Sequence, residues 1–155
     1  MTPQRAALLV FAAATATLFG AWLFEYFGYA PCELCLKQRW AYYAAIPLSL
    51  MLALAARNNS PLARNGLYLL ALIMFGSAIF GAYHAGVEWT WWPGPGTCSG
   101  DGGLSGGLPD LNKPVVMCDE PAIRILGLSL AGWNALISLA LAIVALKGAR
   151  TFSRA

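Results

Sequence analysis

The chain has 155 residues, of which 59% are hydrophobic and only 11% charged, a balance that excludes an ordinary soluble domain. Its net charge of +3 is too small and too scattered for a nucleic-acid-binding surface. Composition therefore points to a membrane protein with several apolar spans.

Four runs free of Asp, Glu, Lys and Arg meet that expectation in chain order: 6–24, 40–56, 66–87 and 125–146. Each is near the ~20 residues that a helix needs to cross the hydrocarbon core. The fold class expected is an all-α membrane protein, a single domain over 1–155 built as a four-transmembrane-helix bundle. In the first run, Arg5 followed by Ala12, Ala14 and Ala16 also resembles a secretory signal. The run is longer than a signal core and continues into Glu25-Tyr26-Phe27 with no small-residue cleavage site, so a retained anchor is expected. The second run is the shortest and carries Pro47, which removes one backbone hydrogen bond and predicts a kink.

Charge sets the expected orientation. With four spans both termini share a side, and that side holds Arg5, Arg57, Arg64, Lys147, Arg150 and Arg154 with no acid. By the positive-inside rule this side is cytoplasmic. All acidic residues fall in the two opposite loops, 25–39 and 88–124. Trp22, Trp40, Trp89, Trp91 and Trp92 cluster toward the same ends, as an interfacial aromatic belt would.

Both outer loops carry a cysteine pair: Cys32 and Cys35 in the first, Cys98 and Cys118 in the second. An even number of thiols facing an oxidising compartment points to disulfide chemistry, and four cysteines allow three pairings among which the sequence does not choose. Zinc is disfavoured, because a zinc knuckle needs a second closely spaced pair and nineteen residues separate Cys98 from Cys118. A thioredoxin-like domain is disfavoured too, since no βαβ context surrounds the Cys-x-x-Cys. The remaining alternative is a membrane scaffold whose loops are braced by static disulfides. A bridge across two residues removes little unfolded-chain entropy, so Cys32-Glu-Leu-Cys35 reads better as a redox pair. Lys37, Arg39 and the start of a helix favour its thiolate form, and Glu33 opposes it. The second loop is rich in Gly and Pro, Trp-Trp-Pro-Gly-Pro-Gly-Thr-Cys98, which suits a cysteine that travels between partners.

Four spans, a Cys-x-x-Cys opening the second with Arg39 four residues after Cys35, a cysteine pair in the second outer loop, and the stretch Cys118-Asp-Glu-Pro-Ala-Ile-Arg-Ile-Leu-Gly-Leu-Ser-Leu-Ala-Gly-Trp133 together resemble the DsbB family. These are quinone-dependent thiol oxidases of the bacterial inner membrane that support protein disulfide formation. The resemblance implies that Cys98 and Cys118 reoxidise a DsbA-like periplasmic thioredoxin-fold oxidase, with Cys98 attacked by the partner. It implies that Cys118 passes electrons to Cys32, that Cys35 faces a membrane quinone (ubiquinone or menaquinone), and that Arg39 stabilises the thiolate and the quinone oxygen. His84, otherwise an interfacial polar residue, would be a quinone-site histidine, with Glu88, Trp89, Asn134 and Tyr42 as candidate neighbours. The chain departs from the family in its short, glycine-rich spacer between Cys98 and Cys118, where 108–117 with Pro109 and Pro114 is a poor helix candidate. A dedicated partner in place of a general one is a possible consequence of that difference.

Overall fold

A computed structural model describes residues 1–58, 60–98 and 116–151, so most of the spacer between Cys98 and Cys118, including all but the last two residues of 108–117, lies outside the described residues, as does Arg154. Four long helices account for most of the chain: α1 Pro3–Tyr26, α2 Glu33–Ala55, α3 Pro61–Glu88 and α4 Leu130–Thr151. Their starts follow from local chemistry. Thr2 caps α1 by accepting from Arg5 N, Ser60 caps α3 by accepting from Leu62 N, and a proline follows each cap, where its missing N–H costs nothing. α1 ends where Gly28 takes φ +96°, a left-handed stop that releases the chain into the first loop.

Each helix buries one stripe and leaves the rest of its surface apolar. On α1 the stripe is Ala7, Val10, Ala14 and Leu18; on α4 it is Asn134, Ser138, Leu141, Ala142, Ala145 and Ala149. Outward-facing Phe19, Leu23, Leu54, Leu72, Ile79 and Ile143 are exposed. A bundle apolar both inside and out has a lipid solvent, and α1, α3 and α4 are each long and apolar enough to cross one. α2 is the exception by composition, because Glu33, Lys37 and Arg39 occupy its first two turns.

The helices form a ring in chain order, with α4 closing on α1 and with little contact between α1 and α3 across the diagonal. Small residues bring them close: a Cβ on Gly81 of α3 would stand 2.9 Å from the backbone nitrogen of Ala135 in α4. At the opposite end Thr151 Oγ1 donates to the Met1 carbonyl at 3.0 Å, so the two ends of the described chain meet on one side of the bundle. A buried polar layer crosses the middle. Tyr42 OH donates to Asn134 Oδ1 at 2.6 Å, and the Ser138 hydroxyl lies 2.9 Å from Tyr42 and 3.0 Å from that of Ser77.

The helices do not end where the apolar runs do: α3 starts at Pro61, five residues before its run, and α4 extends to Thr151, while the starts of α2 and α4 are set by local chemistry. The second helix begins at Glu33, not Trp40, because Cys32 itself serves as its N-cap and draws Cys35 and Arg39 onto the helix. The fourth begins at Leu130, not Ile125. Arg124–Ile125 (β1) and Leu128–Ser129 (β2) form a two-stranded antiparallel hairpin through Leu126 and Gly127, both at positive φ, as a two-residue hairpin turn requires. Ser129 then accepts from Gly132 N at 3.2 Å and opens the helix. Continuous apolarity hid these punctuation residues. α2 runs unbroken as a helical element through Pro47.

Candidate functional site

The first turn of α2 builds the site. A cap residue must offer its side chain to a free backbone N–H, and here the cap is a cysteine: Cys32 Sγ accepts from Cys35 N at 3.2 Å. The cap thus fixes the first sulfur at a helix N-terminus, where negative charge is favoured. Three residues on, Cys35 lies one turn along the same face.

α3 supplies the next layer. His84 is buried, and its Nε2 stands 3.6 Å from Cys32 Sγ. The Gln38 amide nitrogen donates to His84 Nδ1 at 2.8 Å, which places the hydrogen of a neutral ring on Nε2, facing the sulfur. The Cys32 thiol is lowered to about 5. The largest cause is a hydrogen bond from the Cys35 side chain; burial opposes it, and His84 adds to it. Cys32 is therefore the sulfur suited to carry negative charge, with Cys35 holding the shared proton.

Glu88, one turn beyond His84, is also buried. Its Oε1 lies 3.9 Å from His84 Nε2, the hydroxyl of Ser129 in β2 hydrogen-bonds its carboxylate, and Oε2 has no hydrogen-bond partner among the described residues. The hairpin thereby seats a carboxylate beside the histidine that faces Cys32.

Cys98 and Cys118 are joined by a disulfide, so the structure selects one of the three pairings that the sequence left open. Both are buried and pack with Cys32 and Leu34, with Cys35, Phe80 and Val116 around them. All four cysteines therefore share one cluster at the head of α2.

On the other side of Cys35 lies a cavity of about 370 Å³ between α1, α2 and α4. Phe24, Tyr29, Trp133 and Ile137 contribute apolar walls, and Cys35, Gln38, Arg39, Tyr42 and Asn134 add polar atoms. Arg39 donates to Glu25 Oε2 at 2.7 Å, an ion pair that ties α2 to the end of α1 at the cavity rim. The volume and the largely apolar walls suit a flat ring with a hydrocarbon tail, and Arg39 suits an acceptor oxygen on that ring.

Of the residues singled out from sequence, Cys35, Arg39, Tyr42 and Asn134 line this cavity. His84 does not: it sits behind Cys32, with Glu88 beside it, while Trp89 is exposed and packs edge-on to Trp91. Sequence reasoning missed Gln38, which both lines the cavity and orients His84. Its only signal was a neutral polar side chain three residues after Cys35, at helical spacing.

The family profile of disulfide bond formation protein DsbB matches residues 3–147. An uncharacterized protein of Rickettsia prowazekii (strain Madrid E) is 30% identical over 131 residues, covering 79% of this chain and 74% of its own length. No solved structure matches. A profile match across nearly the whole chain, with its cysteines gathered at the head of one helix, makes this protein a member of the DsbB family.

Proposed function

We propose that the protein is a membrane thiol oxidase that takes electrons from a DsbA-like dithiol protein and delivers them through two cysteine pairs to a quinone. The observation that carries this reading is the placement of Cys35 and Arg39 on one cavity wall while Cys32 packs against the Cys98–Cys118 disulfide. Electrons that enter at one pair thus find the other in the same buried cluster, with Cys35 at the cavity wall.

The steps follow from thiol–disulfide exchange. A partner thiolate attacks Cys98, forming a mixed disulfide and releasing Cys118 as thiolate. The partner's second thiol then displaces Cys98, leaving the partner oxidised and the loop pair reduced. Cys118 thiolate attacks Cys32 of an oxidised Cys32–Cys35 pair, and Cys35 leaves as thiolate beside the cavity. Attack of Cys98 on Cys118 restores the loop disulfide and leaves Cys32 as the stabilised thiolate. A quinone bound in the cavity supplies the two-electron, two-proton sink.

The chain's own residues position that exchange. Arg39 presents its guanidinium at the cavity wall, fixed there by the Glu25 carboxylate, where its remaining N–H groups suit a developing negative oxygen. Cys35 presents its sulfur on the same wall, and Gln38 keeps the His84 N–H aimed at Cys32. Four spans with both ends cytoplasmic complete the reading, supported by the cations Arg5, Arg57, Lys147 and Arg150 toward the end where Met1 and Thr151 meet. The membrane is then the bacterial inner membrane, with the cysteine cluster on its periplasmic side.

Purified protein mixed with a reduced thioredoxin-fold oxidase and a water-soluble quinone should bleach quinone absorbance, and Cys35→Ser should abolish it. Full turnover by Cys35→Ser would sink the assignment. Permanently oxidised cysteines in quinone-deficient cells, read by alkylation-shift gels, would instead support a braced scaffold.

A further inference from the structure

Glu88 has no part in the sulfur route above, yet a buried carboxylate with an oxygen unpartnered among the described residues is costly. Cys32 Sγ, Cys35 Sγ and a His84 ring nitrogen all lie within 4.8 Å of one another, and Glu88 Oε1 stands 3.9 Å from His84 Nε2. In tetrahedral zinc sites, metal–ligand bonds of about 2.0–2.3 Å put neighbouring donor atoms roughly 3.3–3.9 Å apart. The Cys32–His84 separation of 3.6 Å already falls near that range.

We infer that the reduced Cys32–Cys35 pair, with His84 Nε2, forms a three-ligand binding site for a thiophilic divalent d10 cation, Zn²⁺ being the natural candidate, with the Glu88 carboxylate beside the ligand histidine. Three further features fit. The N–H of Cys35 already donates to Cys32 Sγ, the kind of outer contact that steadies a metal-bound thiolate. Gln38 holds the far ring nitrogen of His84; with its amide turned, its oxygen accepts from Nδ1–H and leaves Nε2 bare for the metal. Glu88 places a carboxylate beside the ligand histidine, and its Oε2 has no hydrogen-bond partner among the described residues. The sequence argument against zinc looked for a second cysteine pair; the fold brings the third ligand, His84, from α3 instead.

The reaction balances without an oxidant: the Cys32 thiolate, the Cys35 thiol and Zn²⁺ give a bis-thiolate complex and one released proton. Electrons stay on the sulfurs, so the ion holds the pair reduced, and the oxidised pair has no thiolate to offer. The site would be a redox-gated inhibitory one. It requires only a reducible Cys32–Cys35 pair and stands whether or not a quinone is the oxidant.

The test uses full-length protein in detergent, reduced and freed of quinone under anaerobic conditions, with Cd²⁺ as spectroscopic probe and Zn²⁺ as competitor. One equivalent of Cd²⁺ should give a thiolate-to-metal charge-transfer band that Zn²⁺ removes, and the oxidised protein should give none. His84→Ala and Glu88→Gln should each weaken binding by about tenfold or more, as loss of a ligand or its support does. A Cys98→Ser/Cys118→Ser variant should bind as tightly as the parent. An absent band, or a band unchanged in both His84→Ala and Glu88→Gln, overturns the site. If either variant does not fold, alkylation of the unmodified protein decides: Zn²⁺ should shield both Cys32 and Cys35, and unaltered labelling of either refutes the inference.

Discussion

Removing the Cys35 thiol should cost Cys32 most of its acidity, because the hydrogen bond from that side chain is the largest influence holding Cys32 at about 5. At pH 7, a thiol at about 5 is two units past its midpoint, so thiolate outnumbers thiol by about 100 to 1. Returned to its ordinary value of 9.0, the same thiol would be about 1% ionised, a loss of up to roughly ten-thousandfold in the thiolate-to-thiol ratio. His84→Ala should move the midpoint in the same direction but less far, since its contribution is smaller. The assay is the pH profile of iodoacetamide alkylation in a Cys98→Ser/Cys118→Ser background, with Cys32 followed by peptide mass spectrometry. Burial slows the absolute rate but leaves the midpoint readable. A Cys32 midpoint near 9 in the unmodified pair, or one that Cys35→Ala leaves in place, would refute the reasoning.

Linkage gives a matching stability prediction. A thiol depressed by the fold stabilises the reduced protein fully above its ordinary value of 9.0 and loses that contribution as pH falls through about 5, so thermal melts of the reduced form should drop across that window. The oxidised form should show no such Cys32 component. Arg39→Ala should raise the apparent KM for quinone by about tenfold, near 1.4 kcal/mol, while its partly exposed ion pair with Glu25 costs under about 1 kcal/mol in stability. An unchanged KM removes Arg39 from the site. Gly81→Ala should destabilise the bundle by about 1–3 kcal/mol, because its new methyl meets the Ala135 backbone nitrogen at 2.9 Å. Chemical denaturation in detergent measures this, and a neutral result would mean that α3 and α4 separate freely. Tyr42→Phe should cost about 1–3 kcal/mol by leaving Asn134 Oδ1 without its best donor.

Helical content and the redox pair were legible because each is written locally: an uninterrupted apolar run, a Cys-x-x-Cys, a cation one turn on. What escaped was carried by single residues that act across space. Cys32 reads as a redox residue, and nothing in its neighbours announces that it also caps α2. Gly127 and Ser129 sit inside an apolar run, so the hairpin they make looked like the start of α4. His84 lies fifty-two residues from Cys32, and its choice of sulfur over cavity depends on how α3 packs on α2. Glu88, a candidate neighbour of the quinone site by sequence, does not line the cavity and stands instead beside Ser129 and His84.

The hairpin at Arg124–Ser129 also sets a length. Helix continued from Ile125 to Thr151 would be about 40 Å long, well past a hydrocarbon core of about 30 Å, whereas α4 as folded spans about 33 Å. α3 receives no such trimming: its 28 residues reach about 42 Å. One helix of the pair therefore matches the bilayer and its neighbour overshoots it by roughly 10 Å, or must lean to fit. Most of the helix outside the apolar run 66–87 lies at its start, the turn Pro61-Leu-Ala-Arg64-Asn65, and only Glu88 lies past its end. The hairpin thus makes α4 six residues shorter than α3, 22 against 28, a difference that tilt of α3 or its polar first turns at Arg64 and Asn65 can absorb.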